Sequence, residues 1–244
     1  MKVLVLGASG ATGRLLVMQL AKRHIDTRIV VRDAAILSPE VLGNPQIEIK
    51  RGNISDFANS ELARLLQGCD AIVSCLGHNI SIKGMFGQPR NLVSDTMRNI
   101  AEVAGKSAGA KVRLVLMSTT AYTNTLTGEK NSPWESIIFP IIKLLLPPHR
   151  DNVRAADYLQ ERIGKHNEKV EWVAVRPDTL VNEDEESAYE VHQAPTRSPL
   201  FNAGTTSRIN VSRFMADLLL DEALWREWLF KMPVVYNKGE DGIA

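Results

Sequence analysis

The residues with the clearest chemical meaning in this sequence form a glycine-rich turn near the N-terminus. Gly7, Gly10 and Gly13 stand at equal spacing, after an apolar run and before a stretch with helical periodicity. A dinucleotide-binding turn requires this context, because glycine lets the backbone approach a pyrophosphate and the helix N-terminus offers amide donors and a positive dipole end. The turn predicts cofactor-binding residues that share one short loop: Gly7, Ser9, Gly10, Ala11, Thr12 and Gly13.

A second signal for a cofactor lies at the end of the second predicted strand, where Arg32 and Asp33 follow two valines. In dinucleotide sites a carboxylate at this place accepts hydrogen bonds from the ribose of NAD, whereas an arginine accommodates the 2′-phosphate of NADP. Arg32 comes first after the valines, so we expect it to face the cofactor while Asp33 points outward and caps the following turn. The sequence therefore predicts a preference for NADP(H), with NAD(H) possible.

Short β-branched runs alternate with amphipathic stretches along the chain, and these elements must position the turn and Arg32. The predicted strands are Val3–Leu6, Arg28–Val31, Ile47–Lys50, Ala71–Leu76, Arg113–Met117 and Val170–Val175. The predicted helices are Gly13–Lys22, Ser60–Leu66, Leu92–Ala108 and Asn152–Lys165. Such alternation over short connections predicts an α/β fold, a doubly wound parallel sheet covered on both faces.

The regular alternation fades beyond about Asn182, and no linker or repeat divides the chain. We therefore predict a single domain over residues 1–244. Within it, residues 183–244 are expected to form a small C-terminal lobe that lies against the main sheet on the substrate side.

Further short segments follow the glycine turn in a familiar order: Val31–Asp33, Gly52–Ile54, Leu76-Gly77, Met117–Thr119, Arg176-Pro177 and Arg208–Val211. Together with the turn they resemble the short-chain dehydrogenase/reductase superfamily, and within it the atypical branch of NmrA-like proteins and biliverdin reductase B-type flavin reductases. The resemblance implies a Rossmann fold that binds NAD(P)(H). It also adds cofactor residues: Asn53 and Ile54 beside the adenine, Leu76 and Gly77 beside the ribose, and Pro177 near the nicotinamide. Asn53 departs from the family's usual Asp, although an amide still offers an acceptor and donors.

Most members of that superfamily use a Tyr-x-x-x-Lys pair as the proton source. This chain lacks the pair, since its four tyrosines are followed four residues later by Leu126, Arg162, Gln193 and Glu240. The resemblance instead points to Ser118 and Thr119 at the end of the fifth strand, with Thr119 the slightly better match. Asn152 stands where the branch often has a histidine, and His149, expected on a loop, is a candidate substitute.

The absence of the Tyr-x-x-x-Lys pair affects which reaction we expect. Ketone reduction needs an acid to protonate the nascent alkoxide, whereas flavin or quinone reduction needs mainly a hydride donor held against an acceptor ring. We therefore expect an NAD(P)H-dependent reductase whose partner is a small-molecule acceptor, a flavin, quinone or similar conjugated compound. A redox sensor that binds NADP without turnover, as NmrA-like regulators do, stays open as an alternative.

The acceptor pocket is expected over the carboxyl ends of the strands. Its predicted walls are the loop His78–Asn91 and the apolar segment Ser136–Pro148, and Phe86, Trp134 and Phe139 are candidates to stack on a flat ring. The run Ile137–Leu146 is equally well interpreted as a core or dimer-contact helix, so the choice between monomer and homodimer stays open.

Composition excludes several other classes of protein. The 244 residues include 29 Lys and Arg against 28 Asp and Glu, a net charge of +1 that disfavours a nucleic-acid partner. Cys69 and Cys75 suggest core residues of a reduced compartment, and the histidines show no metal-ligand spacing. The run Ile137–Leu146 is shorter than the roughly 20 residues of a membrane span, and no signal peptide pattern is visible, so we expect a cytoplasmic protein.

Overall fold

A computed structural model describes residues 1–78, 87–106 and 111–239 of the chain. Its strands in chain order are β1 Lys2–Leu6, β2 Asp26–Val31, β3 Ile47–Arg51, β4 Ala71–Ser74, β5 Val112–Met117, β6 Val170–Pro177, β7 Thr179–Val181, β8 Tyr189–His192, β9 Thr205–Ser207 and β10 Val234–Asn237. Eight of them form one sheet in the order β3-β2-β1-β4-β5-β6-β10-β8. All neighbours in this sheet are parallel except β10 and β8, while β7 and β9 form a separate parallel pair.

Helices cover both faces of the sheet. They are α1 Ala11–Lys22, α2 Pro39–Leu42, α3 Asn59–Leu66, α4 Leu92–Gly105, α5 Pro133–Leu145, α6 Pro147–Asp157, α7 Arg208–Leu220 and α8 Glu222–Trp228. A π-helical turn, Tyr158–Ile163, continues α6. Among the described residues, the helices are all too short or too polar to cross a membrane.

The core divides into one cluster on each face of the sheet because successive side chains of a strand point to opposite faces. In β1, Val3 and Val5 join the cluster under α1 and α7, whereas Leu4 and Leu6 join the cluster under α3, α4 and α6. All four side chains are fully buried. A nearly continuous apolar strand is what a parallel sheet with two covered faces requires. The predicted doubly wound α/β fold is confirmed.

Two differences between the predicted and the observed elements affect residues of the site. The helix expected from Asn152 begins at Pro147, because proline is tolerated in a first helical turn and the pair Pro147-Pro148 occupies these positions. His149 therefore lies inside α6, and its predicted placement on a loop is wrong. The fourth strand ends at Ser74, two residues earlier than expected, so Leu76 lies in the loop that follows.

The region after residue 183 contributes to the main sheet as well as to its surface. Strands β10 and β8 extend the sheet beyond β6, and α7 packs against α1 through a shared core cluster. The division at residue 183 stays a prediction. In the structure, β8 and β10 form one edge of the main sheet, and α7 covers part of one of its faces.

Candidate functional site

The turn between β1 and α1 requires glycine at two of its positions. Gly7 has a φ of +75°, and a Cβ added to it would lie 2.6 Å from the carbonyl oxygen of Cys75. A Cβ on Gly13 would lie 2.1 Å from the carbonyl oxygen of Gly7, which no real structure allows. The backbone of the turn therefore packs against the end of β4 and against itself at distances that any side chain would prevent.

The N-terminus of α1 carries no side-chain cap. Gly10 occupies the N-cap position with an extended backbone, and the first intrahelical bond runs from the amide of Arg14 to the carbonyl of Gly10 at 3.0 Å. The amides of Ala11, Thr12 and Gly13 precede that bond and have no acceptor within the helix. An anion at this helix end would receive these donors and the positive end of the dipole.

A cleft of about 410 Å³ lies beside this turn, between the carboxyl ends of β1, β2, β3 and β4. The strand order reverses between β1 and β4, and such a switch point is where open α/β sheets bind ligands. The predicted cofactor residues that line the cleft are Gly7, Ser9, Gly10, Arg32, Asn53, Ile54, Leu76 and Gly77. A Cβ on Gly77 would meet nothing within 4 Å, so this residue leaves open space in the cleft.

Four predicted cofactor residues do not contribute to the lining that the described residues provide. Ala11, Thr12 and Gly13 form the first turn of α1 after Gly10, where their backbone amides have no acceptor within the helix. Pro177 ends β6 and is buried, with its carbonyl accepting from the amide of Thr120 at 3.3 Å. Its place is three strand positions from β1, beyond β4 and β5.

Arg32 and Asp33 have different environments. The carboxylate of Asp33 accepts a hydrogen bond from the amide of Ala35 at 2.9 Å and so caps the short 3₁₀ turn Ala34–Ile36, as expected. Arg32 is exposed on the rim of the cleft and makes no ion pair with any described residue. A cation without a partner beside an uncapped helix N-terminus gives this cleft the electrostatic character of an anion site.

Asn53 contributes to the shape of the same rim. Its Nδ2 donates to both carboxylate oxygens of Asp56 at 3.2 Å, across the short turn Ile54–Asp56. An aspartate at position 53 could not make this bond and would place a second negative charge beside Asp56. Asn53, which replaces the family's usual Asp, is therefore stabilised locally by its hydrogen bonds to Asp56.

The far side of the cleft holds a histidine, which is the first residue of the predicted acceptor wall, and a carboxylate that lies outside the predicted site. His78 follows β4 and lines the cleft, and its Nε2 lies 2.9 Å from Oδ2 of Asp151. The two side chains are only 5% and 0% exposed. Because an ionised carboxylate only accepts, we assign the proton to Nε2, which leaves Nδ1 to accept, or to donate in the imidazolium form.

Asp151 also ties α6 to the start of α4. Its Oδ2 accepts from the amide of Val93 at 2.8 Å, and its Oδ1 accepts from the amide of Ser94 at 3.0 Å and from the Ser94 hydroxyl at 2.6 Å. The carboxylate thus caps a 14-residue helix from a distant part of the chain. This fixed carboxylate holds the His78 ring in one orientation at the cleft.

The three predicted catalytic residues do not converge on the cleft. Within the described residues its lining lacks Ser118, Thr119 and His149. The Ser118 hydroxyl is buried without a hydrogen-bond partner among these residues, whereas the Thr119 hydroxyl accepts from the amide of Ala121 at 3.2 Å. The His149 ring stacks on Phe139 with centroids 6.4 Å apart. Their catalytic roles stay predictions.

A second hollow of about 340 Å³ lies beyond the ends of β5 and β6, between the loop before α5 and residues 194–199. One of its lining residues, Glu129, binds the fully buried Arg176, whose guanidinium donates to both carboxylate oxygens at 2.8 and 2.6 Å and also to the carbonyls of Met232 and Tyr122. The Tyr122 hydroxyl donates to Gln160 at 2.9 Å, and burial raises the pKa of this phenol. The Glu129 carboxylate and the Tyr122 hydroxyl, which line this hollow, are thus already bonded within the protein.

The predicted acceptor walls separate between the two hollows. Gln88 and Pro89, from the loop His78–Asn91, line the first cleft, whereas Phe139 lines the second hollow. Trp134 is 67% exposed and lines neither. Phe86 falls outside the described residues, as does much of the same loop.

Thiol and metal chemistry find no support at the cleft. Cys75 borders it, but burial raises the pKa of its thiol to about 12, so the thiol stays protonated at neutral pH. Across residues 1–78, 87–106 and 111–239, no three His, Cys, Asp or Glu side chains form a group that could hold a metal ion.

A family model described as NAD(P)H-binding matches residues 7–222 of the chain. The matched region begins at the first glycine of the turn and ends at the start of α8, so it includes every lining residue of the first cleft except Leu6. Among curated proteins, no sequence matches this chain.

Several solved structures are similar over nearly the whole chain. A short-chain dehydrogenase/reductase from Veillonella parvula in complex with NADP has 16% identity and a TM-score of 0.69, covering 98% of this chain and 95% of its own. The anaerobilin reductase ChuY from Escherichia coli O157:H7 has 16% identity and a TM-score of 0.68, covering 98% of each chain. A candidate NADH-flavin reductase from Streptococcus pneumoniae has 16% identity and a TM-score of 0.68, covering 98% of this chain and 100% of its own. At these identities the likeness shows the fold.

Proposed function

Because the chain belongs to the NAD(P)H-binding family, we propose that it is an NAD(P)H-dependent reductase of a flavin, quinone or similar conjugated acceptor. The observation that carries the proposal is the cleft at the switch point, where the glycine turn, an uncapped helix N-terminus and the unpaired Arg32 meet. When bound, the nicotinamide cofactor supplies the hydride. The chain's own residues bind it, orient it and hold a proton.

The glycine turn and α1 would hold the pyrophosphate through backbone amides. Arg32 would hold a 2′-phosphate, since its guanidinium can donate two bonds to one phosphate and can stack on an adenine. The Asp33 carboxylate already accepts one hydrogen bond, at Oδ1, from the amide of Ala35, and so is held at the following turn. These contacts support a preference for NADP(H) over NAD(H).

His78 would act at the opposite end of the cofactor. It follows β4, which is two strands from β2 and Arg32, a separation of about 10 Å across the sheet. A dinucleotide that lies with its adenine over β2 would extend toward β4 with its reactive ring. The His78 ring, which Asp151 holds in place, would then exchange a proton with the acceptor through Nδ1.

Two observations favour a conjugated acceptor over a simple ketone. The sequence has no Tyr-x-x-x-Lys pair, and the Tyr122 phenol at the second hollow is bound to Gln160. A flavin or quinone takes a hydride on an electron-poor ring and can receive its proton from water, so it depends least on a strong acid. The similar structures of an anaerobilin reductase and a candidate flavin reductase are consistent with this class.

Mixing the protein with NADPH and a panel of flavins, quinones and aldehydes tests the proposal directly. We expect oxidation of NADPH with flavins or quinones and little with aldehydes. Tight binding of NADPH without oxidation by any acceptor would contradict a reductase and favour a redox sensor.

Two histidine variants then separate the proton sources. His78→Asn should lower turnover of acceptors that need a proton in the rate-limiting step by about 100-fold and remove a group from the pH profile. His149→Asn should leave that profile unchanged, because the His149 ring stacks on Phe139 outside the cleft lining. If His149→Asn changed the profile and His78→Asn did not, the assignment to His78 would be wrong.

A further inference from the structure

The first cleft ends above β2 and β3, and its walls there are mostly apolar. Val30 and Ile54 line this end from the buried core, and Ile36 lines it from the outside, with 62% of its surface exposed. Among the described residues after β2 and β3, the polar side chains in the lining are Arg32 and Asn53. This end of the cleft is therefore suited to a flat, largely apolar group that is recognised through one amide.

The base of the cofactor is the group that this end would receive, a step that rests on the proposed function. The proposal assigns the pyrophosphate to the turn after β1, the 2′-phosphate to Arg32 after β2, and the reactive ring to the side of His78 after β4. The base is attached to the same ribose as the 2′-phosphate. Because β3 is the edge strand of the sheet, the end above β2 and β3 is the part of the cleft that remains.

The side-chain amide of Asn53 has one orientation, which Asp56 sets. Its Nδ2 lies 3.2 Å from each carboxylate oxygen of Asp56. An ionised carboxylate only accepts hydrogen bonds, so the nitrogen of the amide faces it. If the amide turned over, Oδ1 would face two acceptors and find no donor. Oδ1 of Asn53 is therefore the atom that remains to bond a ligand, and it acts as an acceptor.

Further hydrogen bonds fix the carboxylate at the end of β3. The backbone amide of Asp56 donates to the carbonyl of Asn53 at 2.9 Å, within the short 3₁₀ turn that follows the strand. The Ser55 hydroxyl donates to Oδ1 of Asp56 at 3.1 Å. The amide of Gly52 donates to the carbonyl of Val31 at 3.0 Å and ties this end of β3 to β2. The orientation of the Asn53 amide is thus set before a ligand binds.

We propose that Asp56 is a positioning residue that makes the cofactor site select a 6-aminopurine. With the amide held by Asp56, Oδ1 of Asn53 accepts a hydrogen bond from the amino group of adenine. Hypoxanthine has a carbonyl oxygen at the same position of the ring, so two acceptors would face each other and both would lose a hydrogen bond. Asp56 does not line the cleft, so it acts on the base through Asn53.

Titration calorimetry with NADPH and with its hypoxanthine analogue, deamino-NADPH, tests the proposal without any turnover. We expect the wild type to bind NADPH about tenfold more tightly, which corresponds to the loss of about one hydrogen bond. In Asp56→Ala the Asn53 amide is free to turn its Nδ2 toward the hypoxanthine oxygen, and the ratio of the two affinities should fall to about twofold. A merely structural role of Asp56 would weaken both cofactors alike and leave the ratio unchanged.

Two more variants serve as controls for Asp56→Ala. Asp56→Asn keeps an acceptor oxygen that can face the Asn53 amide, so it should keep most of the wild-type ratio. Glu40→Ala removes another exposed carboxylate, on α2 and outside the lining of the cleft, and should leave the ratio unchanged. Thermal unfolding checks that each variant folds, and the wild-type ratio tests the proposal without any variant.

Equal affinity of the wild type for the two cofactors would overturn this inference and leave the proposed reductase function intact. The wild-type ratio in Asp56→Ala, with Asn53 still in place, would do the same. A wild type that binds neither cofactor would instead overturn the proposed function, and this inference with it.

Discussion

The two hollows above the sheet differ in what their polar groups already bind. In the first cleft Arg32 is unpaired within the described residues, and the amides at the start of α1 have no side-chain cap. At the second hollow the lining carboxylate of Glu129 is bound by the buried Arg176, which also donates to backbone carbonyls. At the first cleft, polar groups without a partner in the protein are available to bind a ligand. At the second hollow, polar groups bond to other parts of the protein and so hold its loops together.

The buried pair Arg176–Glu129 should give the largest effect. Glu129→Ala leaves a fully buried guanidinium without its carboxylate, and we expect it to lower the free energy of unfolding by about 3–5 kcal/mol. Denaturant unfolding measures this loss. Affinity for NADPH in the folded fraction should be unchanged. A large drop in that affinity would show that the second hollow also contributes to cofactor binding.

The glycine turn should give the next largest effect, on binding. Gly13→Ala places a Cβ 2.1 Å from the carbonyl oxygen of Gly7, so the turn must shift away from the position it needs. We expect NADPH affinity to fall by about 100-fold, an energy of about 2.7 kcal/mol. Gly105→Ala is the matched control at the end of α4, where a Cβ meets nothing within 4 Å. An equal loss of NADPH affinity in both variants would show that the glycine turn has no particular role in cofactor binding.

Arg32→Ala should reduce NADPH affinity by roughly tenfold or more, because a charged hydrogen bond contributes about 1.5–3 kcal/mol. NADH affinity should change little, since NADH lacks the 2′-phosphate. Titration calorimetry with both cofactors measures the two effects, and Asp33→Ala serves as the neighbouring control. Equal affinity of the wild type for NADPH and NADH would contradict the role of Arg32.

A partly exposed ion cluster outside both hollows provides the smallest effect. Lys2, Lys50 and Arg28 surround Glu48, and their hydrogen bonds, that of Lys2 first, lower the pKa of the carboxyl to about 2 from 4.5. The folded pKa lies below the unfolded one, so the stabilisation is complete above pH 4.5 and is lost as the pH falls toward 2. Because Glu48 is one-third exposed, screening limits this to about 1 kcal/mol.

Unfolding of the wild type and of Glu48→Gln at several pH values tests that assignment. The difference in unfolding free energy between them should shrink as the pH falls below 4.5. A difference that stays constant over this range would show that Glu48 acts through packing instead. The comparison measures how much a paired but partly exposed carboxylate contributes to the free energy of unfolding.

Local signals made most of the fold predictable from the sequence. The glycine turn, the strands around it and α1 were located within one or two residues because apolar periodicity and turn chemistry act over short distances. Asp33 was expected to cap the following turn, and it does so. Proline in a first helical turn explains the one misplaced helix start, at Pro147.

The histidine and carboxylate at the cleft were not predictable in the same way. His78 and Asp151 are 73 residues apart, and only the packing of α6 against the start of α4 brings them together. One local signal was available, since His78 directly follows Leu76-Gly77 beyond a buried strand, where ligands bind in such sheets. The carboxylate partner lacks a local signal, because its role as a cap for α4 appears only in three dimensions.

Amide hydrogen exchange with and without NADPH tests the central distinction most directly. We predict that NADPH slows exchange at residues 7–13 and 32–35, around the first cleft, and leaves residues 120–124 and 194–199 unchanged. Protection centred on the second hollow, or binding without protection of the glycine turn, would contradict the account.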